Sequence, residues 1–445
     1  MMVLRPRRDF GAGPWVASAW VIGVALATVI LTFLTPAPPG PVTDTFIPLY
    51  SSGITVRDDG ERESLPPRAS AQPSPSAAGR EWLAQGSVPA AGTPNEEMSV
   101  RALLDIDALA LPVRYGKADV GPQRYALIAA WQDNWHYVWP RDASFAAVAL
   151  ARSGHLDQAW GILSYLQDVQ SGDGTFQARY LPADIGSTPD DRAAQTDGIG
   201  WVLWAARQVL AEAPAARRGE IRSGLDLLIS RASAAALRLT DDGRRLPPIS
   251  PDYWEVREYR LTLGTAGPLL IALQSAAHLG SVGAATAAVR YRDLLVATFG
   301  SQGYPRQRGW VGSLGASAPD TAVNFVRRPF VDEDLPGAAA AWQASQAAMV
   351  RPGGGLAPGG SWRNDGISWT PTTSIYALVA ACSGDTAQAR TWLAWLEAHR
   401  TEAGSLPEKV LSDGTPASVA PLAWTSANVL IALSCLPGPD EDIGG

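Results

Sequence analysis

Cysteine and histidine are scarce in this chain: two cysteines and four histidines among 445 residues. Neither an HExxH nor a CxxC pattern occurs, so no metal site of the usual nitrogen and sulfur ligands is expected, and no cofactor. Charge is also sparse. Only 18% of residues are charged and the formal net charge is −7, whereas recognition of a phosphate backbone needs a basic surface, so no nucleic-acid partner is expected. Alternating β-branched runs, the mark of strands, are few, which argues against a sheet-based fold. Cys382 and Cys435 each sit in an apolar, helix-like run. They read as small buried core residues or as a disulfide formed outside the cell, and spacing alone leaves both open.

What is abundant is apolar and helical. Residues 15–34, WVASAWVIGVALATVILTFL, carry no charge over about twenty positions, long enough to cross a bilayer core. Arg5, Arg7 and Arg8 precede this run and the next basic residue is Arg57. The positive-inside rule therefore predicts a cytoplasmic tail over 1–14, a membrane anchor over 15–34 and the rest of the chain outside. A cleaved signal segment followed by secretion is the alternative, and it exports the same residues. Residues 35–95 are rich in Pro, Ser, Gly and Ala and read as a flexible linker, with TFIPLYSSGITV as a possible short strand. From 96 to 438 apolar residues recur at three- and four-residue spacing, predicting about eleven or twelve helices, with a short tail over 439–445. Several helices stop at Ser-Gly or Leu-Gly, at 153–154, 279–280 and 383–384. Paired helices without a tight sequence repeat predict an all-α, closed ring of helical hairpins, with the loops at one end carrying function.

Those loops collect Trp, Tyr, Asp, Glu and Arg, which have no default packing duty there. The chain has 17 tryptophans; most are expected in the core, but an indole face also stacks on a sugar ring. Three loops stand out. In SPDYWEVRE, Glu255 follows Tyr253 and Trp254, an aromatic setting that favours a protonated acid. The competing reading is a helix start capped by Ser250 or Asp252. In SLPEKVL, Glu408 follows Pro407 in a Gly- and Pro-rich loop, where a Glu-Lys pair ordinarily reads as solvated surface. In YVWPRDASF, Arg141 and Asp142 lead into an apolar helix. Adjacent Arg and Asp can grip neighbouring hydroxyls as donor and acceptor, or Asp142 can cap that helix.

Taken together, these loops resemble glycoside hydrolase family 15, the glucoamylase family. The early W-x-R-D pattern is matched by Trp139-Pro140-Arg141-Asp142, the central D-x-W-E by Asp252-Tyr253-Trp254-Glu255, and the late P-E by Pro407-Glu408. Pro421-Leu422-Ala423-Trp424-Thr425-Ser426-Ala427 matches the P-L-x-W-[ST]-x-A that follows, and GDGTFQARY (172–180) and AAQTDGIGWVLWA (193–205) match two further signatures in order.

The resemblance implies an (α/α)6 toroid that hydrolyses α-glucosides from the non-reducing end with inversion. Glu255 is then the general acid and Glu408 the general base for water, about 6.5 to 9.5 Å apart as inversion requires. It implies substrate contacts from Trp139, Arg141, Asp142, Asp252, Trp254, Trp369 and Trp424, and a carbohydrate as the partner molecule. The chain departs from the family at Trp135, where fungal members have Tyr, and at Val256, where a second acid often follows the general acid. The family's sugar-gripping arginine falls near Ala357, with Arg363 as a substitute. A trehalase or other α-glucoside hydrolase on this fold, or a catalytically silent envelope sugar-binding protein, are the alternative expectations.

Overall fold

The computed structural model describes residues 44–68, 71–113, 122–308 and 318–437. The expected tails at 1–14 and 439–445 and the expected membrane segment at 15–34 lie outside them. Among the described residues no helix is long and apolar enough to cross a membrane.

Thirteen described α-helices follow one another: α1 (Ala77–Leu83), α2 (Glu96–Leu109), α3 (Pro140–Arg152), α4 (Leu156–Val169), α5 (Asp197–Glu212), α6 (Ala215–Gly224), α7 (Asp226–Leu239), α8 (Leu263–His278), α9 (Ala284–Phe299), α10 (Ala338–Met349), α11 (Thr370–Cys382), α12 (Thr386–Ala398) and α13 (Ala423–Cys435). They build a toroid. Its inner ring runs α3, α5, α8, the 3₁₀ segment Thr321–Val326, α11, α13 and back to α3. Outside it lie α2 against α13, α4 against α3, α7 against α5 and α8, α9 against α8, α10 against the 3₁₀ segment, and α12 against α11. One inner position is thus filled by six residues of 3₁₀ helix rather than an α-helix.

The two rings differ in sequence because they differ in surroundings. Inner helices are buried all round: Pro140–Ala151 of α3, Thr370–Ala381 of α11 and Ala423–Leu433 of α13 are buried without a break. Outer helices bury one stripe, as α9 does with Ala284, Ala287, Ala288, Tyr291, Leu295 and Phe299. Close packing of the inner ring needs a missing side chain at Gly200 of α5, where a Cβ would fall 2.2 Å from the Pro268 carbonyl oxygen of α8.

The connections are asymmetric. Inner helices hand over to outer ones through short turns, with Gly154, Gly280 and Gly384 at φ of 83°, 84° and 84°, the left-handed stops the sequence predicts. The return connections are long and all arrive at the N-terminal ends of the inner elements. They hold the small sheets: β3 (Ala110–Val113) with β4 (Arg124–Leu127), and β5 (Ser368–Trp369), β6 (Lys409–Val410) and β7 (Pro416–Ala417) as one three-stranded sheet. At the opposite end Cys382 and Cys435 form a disulfide between the last turns of α11 and α13, with Cα atoms 5.0 Å apart.

The linker expected over 35–95 is corrected from residue 44 onward, since its described residues fold onto the toroid. β1 (Gly53–Val56) pairs with β2 (Arg62–Leu65), and Ile54 is fully buried. Arg101 of α2 donates to the Ile54 carbonyl and pairs with Asp105. Further upstream the backbone of an N-terminal arm crosses the functional end: Tyr50 N donates to Ser418 O at 2.6 Å and Ser418 N to Pro48 O at 3.0 Å. Composition misled here because backbone pairing and one buried Ile suffice to seat a segment whose average hydropathy is low.

Candidate active site

Six tryptophans, at 135, 139, 254, 362, 369 and 424, wall a cavity of about 210 Å³ over the N-terminal ends of the inner helices. Asp142, Glu255 and Glu408 line the same cavity. Trp139 and Trp369 occupy N-cap positions of α3 and α11 with no side-chain cap bond, and each helix carries Pro in its first turn. Proline lacks one of the N–H groups that would be orphaned there, and the uncapped amides leave positive potential beneath the cavity.

The half that carries Glu255 rests on buried ions. Asp252 is fully buried and makes no part of the cavity wall, so the substrate contact expected of it is corrected. It caps no helix either, because α8 starts only at Leu263. Its carboxylate accepts from Arg306 Nη2 at 2.9 Å, Thr262 Oγ1 at 2.7 Å and Trp254 N at 3.0 Å, and its carbonyl accepts from Glu255 N at 2.9 Å. Arg306 also pairs with Asp320 at 3.2 Å and with Glu258, and its guanidinium lies 3.6 Å from the Trp254 ring centroid. Tyr253 donates its hydroxyl to Asp320. Burial pushes the Asp320 carboxyl up to about 6 against the opposing charge of Arg306. This frame holds Glu255 at a φ of 56°, a left-handed conformation that costs a residue with a Cβ about 1 kcal/mol and persists only where neighbours over-determine it.

The Glu255 side chain is gripped at both oxygens. Gln195 Nε2 at 2.8 Å and Arg141 Nη2 at 3.1 Å donate to Oε1, and Arg192 Nη1 at 3.3 Å donates to Oε2. Arg141 is buried, pairs with Asp197 at 3.0 Å and lies 4.9 Å from the Trp424 ring centroid. Burial works against its cation, but the carboxylates of Asp197, Asp142 and Glu255 outweigh that and hold it above its usual range. Arg141 thus ties Glu255 to the buried Asp197, and it pairs with no surface acid. Asp142 lies 3.7 Å from Arg141 Nε and is pushed up to about 6 by burial, with Arg141 opposing and Glu255 adding to the rise.

The half that carries Glu408 rests on chain pairing instead. Glu408 is 9% exposed, not solvated surface. Its N–H donates to Val419 O at 2.8 Å and its carbonyl accepts from Thr370 N at 3.1 Å. Trp135 Nε1 donates to Oε1 at 3.3 Å, while Ser418 Oγ at 2.5 Å and Lys409 Nζ at 2.9 Å reach Oε2. Lys409 Nζ in turn sits 4.4 Å from the Trp369 ring centroid. Both Trp135 and Ser418 are backed by the arm: the Tyr50 ring is 6.1 Å from Trp135, and Ser418, at a φ of 69°, bonds to Pro48 and Tyr50.

Of the residues expected from sequence, Glu255, Glu408, Trp139, Arg141, Asp142, Trp254, Trp369 and Trp424 meet at this cavity and Asp252 does not. Trp135, noted as a departure, reaches Glu408. Ala357 is fully buried, and Arg363 lies at the rim with its guanidinium 5.9 Å from the Trp362 ring centroid. Sequence reading missed the roles of Gln195 and Asp197, which lay inside a matched signature. It also missed Arg306, Asp320, Trp362 and Ser418, for which no local signal existed.

No family model matches the chain, and no curated protein matches it. Solved structures share its fold. A wild-type glycosidase is 24% identical and aligns with a TM-score of 0.57 over 80% of this chain and 99% of its own. A bacterial glucoamylase complexed with acarbose is 16% identical and aligns with a TM-score of 0.58 over 80% of this chain and 57% of its own. The GH63 mannosylglycerate hydrolase from Thermus thermophilus, in complex with Tris, is 15% identical, with a TM-score of 0.50 over 68% of this chain and 95% of its own. At these identities the likeness is one of fold: the toroid is of the kind found in glycosidases.

Proposed function

We propose that the protein is an inverting, exo-acting glycoside hydrolase that releases glucose from the non-reducing end of an α-glucan or α-glucoside. The observation that carries this reading is the presence of two oriented carboxyl groups, Glu255 and Glu408, on one tryptophan-walled cavity. A cavity closed below by helix ends admits a chain terminus rather than the middle of a polymer. Tryptophan faces stack on the terminal ring, and Asp142 accepts hydrogen bonds from its hydroxyls. Glu255 gives a proton to the glycosidic oxygen as the bond to the anomeric carbon breaks. Glu408 takes a proton from a water that attacks that carbon from the opposite face, so the product sugar has the inverted configuration. Trp135, Ser418 and Lys409 hold the base, leaving its direction toward the water fixed.

The same proposal places the toroid outside the membrane, anchored through residues 15–34 or secreted after their removal. Support comes from the arginines that precede that segment, and from the Cys382–Cys435 disulfide, a bond that persists in oxidising compartments.

The test is a panel of maltose, isomaltose, trehalose and longer glucans, with the anomer of the released glucose followed by NMR. β-Glucose should appear first. Glu255→Gln and Glu408→Gln should each lower turnover by about two to four orders of magnitude with the fold intact. Wild-type turnover in both variants would rule the assignment out.

A further inference from the structure

Once a terminal sugar fills the cavity, its leaving group must extend past Glu255, where exposed arginines line the way. Trp254 separates the sugar cavity from a second one of about 360 Å³, which Val256, Arg257, Tyr259, Arg260 and Gln307 also line. Arg257 and Arg260 are exposed and have no carboxylate partner among the described residues. Arg363 is likewise exposed and without a carboxylate partner among them, beside Ser361 of the second cavity and Trp362 of the first. Arg192, on the other side of Glu255, is 43% exposed and shared between Glu255 and Asp190.

Of the acids nearby, Glu258 lines the second cavity, and Asp252 and Asp320 are fully buried behind it. Glu258 is taken up by Arg306, which Asp252 and Asp320 also engage. Elsewhere on the surface some arginines find acids, as Arg57 does with Asp59, Arg217 with Asp157 and Glu220, and Arg222 with Asp226, while others, such as Arg245 and Arg290, pair with none among the described residues. In a chain of net charge −7, the Arg257 and Arg260 side chains on the wall of the second cavity, with Arg363 two residues from its Ser361, offer cationic groups to an anion, and arginine's planar fork matches carboxylate and phosphate alike.

We propose that the second cavity is a leaving-group subsite for an anionic aglycone, so that the preferred substrate is an α-glucoside whose leaving group carries a carboxylate or a phosphate. The proposal rests on the reading of Glu255 as the general acid, because that is what puts the leaving group on this side of Trp254.

Three α-glucosides separate the possibilities: phenyl, 4-carboxyphenyl and 4-phosphophenyl. On the full-length protein at low salt, the anionic pair should exceed the neutral one in kcat/KM by about tenfold, the worth of one charge-assisted hydrogen bond. The advantage should shrink as salt screens the rim. Which of the two anions leads identifies the group. In the triple variant Arg257→Ala, Arg260→Ala, Arg363→Ala the anionic-to-neutral ratio should fall to about one. Equal kcat/KM for all three glucosides in the unaltered protein overturns the subsite and leaves the hydrolase reading standing. If none is hydrolysed, the hydrolase reading fails, and calorimetry with the matching thioglucosides still decides the subsite: tighter, salt-sensitive binding of the anionic ones supports it, and equal binding overturns it.

Discussion

The two glutamates of the site are held in opposite ways. Glu255 sits on a turn clamped from behind by a buried ion cluster, Asp252–Arg306–Asp320, and its side chain is gripped by Arg141, Gln195 and Arg192. Glu408 has no such cluster. It is set by a three-stranded sheet and by Ser418, whose backbone is paired to an arm more than 360 residues earlier in the chain. The first arrangement is rigid because it turns on one buried arginine, whose removal leaves buried carboxylates without their counter-charge. The second depends on an arm laid over the surface by backbone pairing, and such segments open more readily than cores. On the proposed assignment the two have different tolerances: a proton donor must meet one oxygen of the substrate, whereas a base need only hold a water.

That contrast can be broken from either side. The largest effect is expected for Arg306→Met. It strands Asp252, Asp320 and Glu258, costs about 3–5 kcal/mol of stability in a denaturant titration, and loosens the Glu255 turn. Turnover should collapse for ordinary glucosides and fall much less for α-glucosyl fluoride, whose leaving group needs little protonation. Equal losses on both would mean that the cluster does not serve the acid.

A lesion in the other half should look different. Ser418→Ala removes a hydrogen bond to Glu408 and should lower kcat about tenfold to hundredfold, with KM little changed, for glucosides and the fluoride alike. Removing residues 1–52 should reproduce the alanine effect if the arm is what holds Ser418; a truncated protein with normal kcat would separate the arm from the base.

A smaller effect belongs to Asp142. With its carboxyl raised to about 6, it is ionised above that pH and accepts hydroxyl hydrogen bonds, and it becomes protonated as pH falls through about 6. KM should therefore rise on acidification through that range. Asp142→Asn should raise KM at every pH and flatten the dependence; a variant that keeps the same pH profile would assign it to another group. The least effect on activity is expected from Cys382→Ser with Cys435→Ser. The disulfide closes a span of 53 residues at the end of the toroid away from the cavity. Its loss should lower stability by about 2–4 kcal/mol in thermal melts while kcat/KM stays near that of the intact protein.

Legibility in the sequence followed the range of the interactions. The Gly stops at 154, 280 and 384 were readable because a left-handed helix terminus is a one-residue requirement. Trp254 and Glu255 were readable because the clamp acts on four consecutive residues. Glu408 could be picked out only by its order relative to the other motifs, since its environment comes from Trp135 and Ser418, 273 and 10 residues away. Asp252 was misjudged for the related reason that a motif does not tell which of its acids faces the cavity and which faces a buried arginine 54 residues on.

By itself, then, the sequence determined most of the helices, several of their stops, and the loops in which the chemistry lies. Periodicity and turn stereochemistry are short-range, so they survive without knowledge of the fold. Only the tertiary structure decided that Asp252 is a support, that Arg141 ties Glu255 to the buried Asp197, and that a stretch resembling a linker completes the site through contacts such as Ser51 Oγ to Ala420 O across 369 residues. The reason is that burial and charge pairing are set by whatever the fold brings near, and here the decisive neighbours come from opposite ends of the chain.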